Sequence, residues 1–96
     1  MITLETLREK APEIRAIAEK YGAENIRVFG SVARGDQSED SDVDFLVDWD
    51  NQRSAFDRLY LVEEMEECLK NKVDISVGRN IHWYIKERVM SEAISL

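Results

Sequence analysis

Three aspartates carry the strongest chemical pattern in the chain. Asp42 and Asp44 sit two apart in Ser41-Asp42-Val43-Asp44-Phe45-Leu46-Val47, and Asp74 lies in Val73-Asp74-Ile75-Ser76-Val77. In an extended strand, residues two apart project from the same face, about 7 Å apart along the backbone. The flexible ends of Asp42 and Asp44 can therefore approach a shared cation. Asp74 has the same phase, with apolar neighbours to one side and its carboxylate to the other. If the two strands lie close in one sheet, three carboxylates converge. That is unfavourable by itself, since two carboxylates about 5 Å apart repel by roughly 3 kcal/mol at an effective dielectric near ~20. An oxygen-only set of this kind suits a hard cation such as magnesium. Two such ions, about 4 Å apart on shared carboxylates, serve in-line phosphoryl transfer. On Asp-x-Asp alone, exposed strand carboxylates facing water are the commoner outcome.

A second feature precedes the first aspartate pair. Gly30-Ser31 follows directly on the strand-like run Asn25 to Phe29. Glycine there permits close backbone approach, and the adjoining amides can point at a phosphate. Ser31 adds a hydroxyl donor, and Arg34 adds a planar guanidinium suited to phosphate or carboxylate. The spacing is not that of a Walker loop. Other chemical patterns fall away. Asp36, Ser38, Asp40, Asp42 and Asp44 imitate a calcium loop, but Ser41 and Val47 stand where such a loop needs glycine and glutamate. His82 and Cys68 read as surface or packing residues, and Met65 and Met90 as core candidates. Trp49 and Trp83 read either as packing residues or as anchors for a partner.

The elements that must position these residues follow from periodicity. Leu4, Leu7, Ala11, Ile14, Ala18 and Tyr21 form one helical face, which Pro12 breaks into two helices or kinks. Asn25 to Phe29 predicts a first strand, residues 35–41 a polar loop, and Asp42 to Asp48 a second strand. Val43, Phe45 and Val47 lie on one face of that strand, with Asp42, Asp44, Leu46 and Asp48 on the other. Ser54 caps a helix to about Leu69, with Phe56, Leu59, Tyr60, Val62, Met65 and Leu69 as its apolar positions. Val73 to Val77 is a third strand, and Asn80 caps a last helix from Ile81 to about Ser91. The predicted fold is a single α+β domain over 1–96, α/β-like. It has a mixed sheet of about three strands or slightly more, with helices packed on one face.

Composition narrows the functional classes. A formal net charge of −7 argues against strong direct nucleic-acid binding, which needs Lys and Arg to neutralise phosphates. Seven of the fifteen positions from Asp36 to Asp50 are acidic, so the acid is concentrated around the aspartate pair. One cysteine excludes an intrachain disulfide and a multi-cysteine zinc site. No apolar run approaches the roughly 20 residues that span a membrane. The opening Met1-Ile2-Thr3-Leu4-Glu5 lacks the pattern of a signal peptide. The expectation is a soluble cytoplasmic protein without a membrane partner.

Taken together, Gly30-Ser31-Val32-Ala33-Arg34-Gly35 and Ser41-Asp42-Val43-Asp44 resemble the Gly-Ser…Asp-x-Asp core of the polymerase-beta-like nucleotidyltransferases. The match is closest to their minimal nucleotidyltransferase branch, and Val73-Asp74-Ile75 falls where that family carries a third carboxylate. The resemblance covers most of the chain. It implies catalytic and metal-binding roles for Asp42, Asp44 and Asp74, with two magnesium ions. Gly30 and Ser31 would hold the β and γ phosphates of ATP, and Asp74 would help deprotonate the acceptor hydroxyl. Arg34 belongs to the motif either as a phosphate ligand or as a brace of its loop. The branch resembles the antitoxin of toxin–antitoxin systems whose toxin is a HEPN-domain ribonuclease. The resemblance therefore implies transfer of AMP from ATP to a toxin tyrosine, within a hetero-oligomer. Two other readings stand beside it. One is a non-catalytic antitoxin that blocks its partner by occupation, and the other is transfer to a small molecule or nucleic acid.

Overall fold

Proline decides the first break in the chain. Leu4–Glu9 forms α1, and the Thr3 hydroxyl caps it by accepting the Thr6 N–H. Ala11–Lys20 forms α2 with Pro12 in its first turn, where a missing N–H costs no hydrogen bond. The two helices share a buried stripe of Leu7, Ala11, Ile14 and Ala18, with Leu4 and Tyr21 partly buried at its ends. In the computed structural model, which describes residues 1–49, 54–78 and 81–96, seven further elements follow. They are β1 (Ala23–Phe29), α3 (Gly30–Arg34), β2 (Val43–Trp49), α4 (Ala55–Leu69), β3 (Val73–Val77), α5 (Trp83–Glu92) and β4 (Ile94–Ser95). The sequence expectations at Asp50 and Asn80 lie outside the described residues.

The described strands form one mixed sheet in the order β3-β2-β1-β4. β1 pairs antiparallel with β2 and with β4, whereas β2 and β3 run parallel. Parallel neighbours need a long crossover, and α4 supplies it. The fold is the mixed α+β class that the sequence predicts, with the difference that α5 packs on the other face of the sheet from the remaining long helices. β4 goes beyond the predicted strands because two residues carry no readable alternation. Its pairing with Arg27 and Val28 is what makes it a strand.

Register assigns the faces. Val28, Phe45 and Ile75 align across β1, β2 and β3, and Val43 and Val47 align with Val73 and Val77. This face joins Leu7, Ile14, Leu61, Met65 and Leu69 in the main core. Trp49 is buried with them, and Cys68 packs at the edge of the same cluster. α4 departs from expectation. It buries Leu61, Met65 and Leu69, spaced by four, while Phe56, Leu59 and Tyr60 are exposed. Residues 56, 59 and 60 mark a second stripe, on the side of the helix opposite Leu61, Met65 and Leu69.

The opposite face carries Phe29, Asp44 and Asp74 in one row and Arg27, Leu46 and Ser76 in the next. Leu46 shares the phase of the aspartates yet is 0% exposed. α5 accounts for this. The Arg27 guanidinium contacts the Met90 sulfur, and Val89 is buried while lining a cleft with Ser76. The last helix therefore crosses the aspartate-bearing face and leaves Met90 38% exposed, not in the core as the sequence suggests. Shortening Leu46 to Ala should cost about 2–5 kcal/mol in urea unfolding, as for a fully buried core leucine. A cost under about 1 kcal/mol would show that α5 does not seal this face.

Candidate functional site

The row Phe29, Asp44, Asp74 is the centre of the site. Parallel pairing places Asp44 and Asp74 directly opposite each other on adjacent strands, where Cα atoms lie about 4.8 Å apart. Asp42 precedes the first residue of β2 and is exposed. Among the described residues, no hydrogen-bond donor or cation pairs with any of these three carboxylates. Asp48 shows the contrast. It shares their phase, but Arg27 donates to it at 2.8 Å and Asn25 at 3.1 Å, so its charge is balanced.

The unbalanced charge has a measurable signature. Partial burial, then Asp74, then Asp42 push the Asp44 carboxyl up to about 6 from an ordinary 3.8, against a smaller opposing pull from Arg34. Desolvation disfavours the ionised form, and neighbouring carboxylates disfavour it further.

Gly30 is built around this carboxylate. Its φ is +75°, and a Cβ placed on it would overlap the Asp44 Oδ2 and lie 3.2 Å from Cγ. The residue therefore needs both the glycine backbone and the missing side chain. Gly30 to Arg34 forms a single helical turn, α3, closed by Gly35 in the left-handed region with its N–H on the Ser31 carbonyl. Among the described residues the Ser31 hydroxyl makes no hydrogen bond. Arg34 donates to Asp36 and to Glu92, both at 3.1 Å, and these carboxylates hold its pKa above the ordinary value. Its contact with Glu92 links α3 to α5.

A cleft of about 440 Å³ opens beside the aspartate row. Asp44, Asp74 and Ser76 form its floor, Phe29, Ile85 and Val89 its apolar wall, and Arg58 and His82 also line it. Asp42 faces a separate depression with Glu39, Asp40 and Lys72, and Gly30, Ser31 and Arg34 lie outside the cleft lining. The structure thus joins Asp44, Asp74 and Gly30 closely, with Asp42 near enough to act on Asp44 through its charge. Sequence reasoning missed Arg58, Phe29 and the cleft position of His82. No periodicity indicates that α4 and α5 flank one row of a sheet. His82 is exposed, and its ring centroid lies 4.2 Å from that of Tyr84 with the rings tilted at 54°. Cys68 sits across the molecule against Glu13, and burial first of all raises its thiol pKa, which disfavours a nucleophilic thiolate.

The donor set can be tested for a divalent cation. Among the described residues, no three acidic, imidazole or thiol groups converge on one point as the side chains stand. Bringing Asp42 in requires a rotation of an exposed side chain, a motion of picoseconds to nanoseconds. The chemistry of the set fits a hard cation: oxygen ligands only, mutually repelling and without protein partners.

Comparison with known proteins gives a consistent result. The family described as nucleotidyltransferase domain matches residues 12–96. A Methanocaldococcus jannaschii protein assigned as a protein adenylyltransferase is 36% identical over 90 residues, covering 94% of this chain and 97% of the relative. The protein adenylyltransferase MntA of Thermococcus cleftensis is 34% identical over 95 residues, covering 98% and 96%. A solved structure assigned as a minimal nucleotidyltransferase superposes with a TM-score of 0.87 at 40% identity, covering 99% of this chain and 97% of the other. A chain in the Shewanella oneidensis complex of tri-AMPylated HEPN toxin with MNT antitoxin shares the fold, with a TM-score of 0.69 at 17% identity and coverage of 92% and 69%.

Two measurements check the electrostatics and the packing of the site. Because the folded protein holds a proton on Asp44 more tightly than the unfolded chain, stability falls as pH rises from about 3.8 to about 6 and stays reduced above that. Asp44→Asn should therefore melt a few degrees higher than wild type at pH 8 without added metal, with the gap closing by pH 4. A mutant that melts lower at pH 8 would make Asp44 a structural residue. For the glycines, Gly30→Ala should cost about 1–3 kcal/mol. It should cost more than Gly35→Ala, which has a similar φ but whose added Cβ meets nothing within 4 Å. In an Asp44→Ala background the extra cost at Gly30 should largely vanish. Equal costs at both glycines would show that the Asp44 contact is not what excludes a side chain.

Proposed function

Because the chain belongs to the nucleotidyltransferase domain family, we propose that it is a magnesium-dependent protein adenylyltransferase. In this reading, residues 1–96 form one minimal nucleotidyltransferase domain that transfers AMP from ATP to a tyrosine hydroxyl of a HEPN-domain ribonuclease. It thereby acts as the antitoxin of that partner, as a cytoplasmic hetero-oligomer. The observation that carries the enzymatic part is the unbalanced, in-register pair Asp44 and Asp74 at the floor of an open cleft, with Asp42 within electrostatic reach. A pair of like charges held without protein partners is hard to explain by stability alone. The relatives' names supply the protein acceptor. The Shewanella oneidensis complex supplies the HEPN partner and AMP as the group transferred.

Asp42, Asp44 and Asp74 would hold magnesium. When bound, the metal supplies neutralisation of charge developing at the α-phosphate and on the departing pyrophosphate, and eases ionisation of the acceptor hydroxyl. The bare Gly30 backbone, close against Asp44, and the Ser31 hydroxyl would hold the β and γ phosphates. Arg34 keeps α3 against α5 so that this turn holds its place. Asp74 would take the acceptor proton as the tyrosine oxygen bonds to the α-phosphorus and the bond to pyrophosphate breaks. AMP passes directly to the acceptor without an enzyme-bound intermediate.

Transfer predicts catalytic neutralisation, and occupation predicts stoichiometric binding. At about one molecule of this protein to twenty of the partner, with magnesium and ATP, ribonuclease activity should fall. It should stay suppressed after separation, and intact mass should show one or more added AMP groups. The Asp42→Ala, Asp44→Ala double variant should bind the partner but leave its mass and activity unchanged. An unmodified partner that regains activity on separation would leave only the occupation reading. Added mass on a nucleic acid or small molecule instead would replace the acceptor.

A further inference from the structure

The cleft floor carries the negative charges of Asp44 and Asp74, and Arg58 is the one arginine or lysine among the described residues that line it. Arg58 projects from the first turns of α4 and donates a hydrogen bond to the carbonyl of Ile75, between Asp74 and Ser76. A guanidinium has five N–H donors in a planar fork. Among the described residues no carboxylate lies within ion-pair distance of Arg58, so most of that fork is open to the cleft. Arg34, the arginine of the Gly-Ser motif, differs: Asp36 and Glu92 already engage it. Position also separates the two. Gly30 and α3 follow β1 on one flank of the aspartate row, whereas Arg58 stands over β3 on the other.

From this juxtaposition we propose that Arg58 is a substrate-binding residue that takes a phosphate oxyanion on the β3 side of the cleft, a role the motif arginine cannot fill while braced. The inference rests on the nucleotidyltransferase reading of the site. Two sources could provide the phosphate: the donor triphosphate, or a nucleotide already attached to the acceptor. A bidentate guanidinium–phosphate contact discriminates strongly against neutral replacements, and lysine keeps the charge while losing the fork.

The test measures binding of an ATP analogue with a methylene between its α and β phosphates, in magnesium, to wild type, Arg58→Gln, Arg58→Lys and Arg34→Gln. Melting curves run beside it. If the donor is the source, Arg58→Gln weakens analogue binding about tenfold, Arg58→Lys weakens it less, and adenosine binding is unchanged. In that case Arg34→Gln weakens analogue binding less than Arg58→Gln does. If the acceptor-borne nucleotide is the source, analogue affinity is kept. The second transfer to the partner then slows about tenfold in Arg58→Gln while the first proceeds at the wild-type rate. Unchanged analogue affinity with unchanged first and second transfers overturns the proposal, whether or not the Arg58 variants melt lower. A wild-type protein that transfers nothing overturns the enzymatic reading by itself. The binding arm then still decides whether Arg58 holds phosphate.

Discussion

The parallel register between β2 and β3 sets Asp44 against Asp74, and much of the molecule is arranged around that opposition of like charges. The pairing is unfavourable at the site face and is offset on the other. There the same register aligns Val43, Phe45 and Val47 with Val73, Ile75 and Val77 over the helices. Burying those side chains stabilises each by about 1.5–3 kcal/mol. A slip of one residue would expose the valines and drive the aspartates into the core, so hydrophobic burial fixes the position of the charges. Gly30 is subordinate to the same constraint, because only a residue without a side chain can pass Asp44 at that distance.

Leu46 divides the site face into two functions. On one side of it the aspartate row opens to solvent, and on the other Arg27 balances Asp48. Leu46 itself is sealed, with Val89 of α5 also buried beside the cleft. α5 thus supplies part of the cleft wall. The bridge from Arg34 to Glu92 ties that wall to α3, and Arg88 reaches the same glutamate at 3.4 Å. Surface pairs of this kind contribute little stability singly. Their effect here is geometric: the turn that follows β1 and the helix that bounds the cleft are held in one relation.

Two helices carry exposed apolar side chains. Phe56, Leu59 and Tyr60 stand on the α4 flank, and Trp83, 80% exposed, and Tyr84 stand at the start of α5. The helical period of α4 gives no means of telling these residues from Leu61 and Met65, since each set fits a stripe. Only the position of the sheet against one side of the helix separates them. Trp49 and Trp83 divide in the same way, one in the core and one at the surface.

Alternation and spacing determined the three long strands, the proline break, the Ser54 cap and the chemical class of the site residues, because these depend on neighbours within a few positions. Asp-x-Asp has one meaning in any extended strand, and Gly30-Ser31 marks a tight turn wherever a strand ends before it. The tertiary structure decided what depends on residues far apart in the chain. It brought Asp74 opposite Asp44, paired Asp48 with Arg27, engaged Arg34 with Glu92, and carried Arg58 and His82 to the same cleft. It also created β4, which exists only through its partner strand. Local sequence encodes which face a side chain takes on its own element. Which elements share that face is settled by packing, through contacts between residues that sequence spacing does not relate.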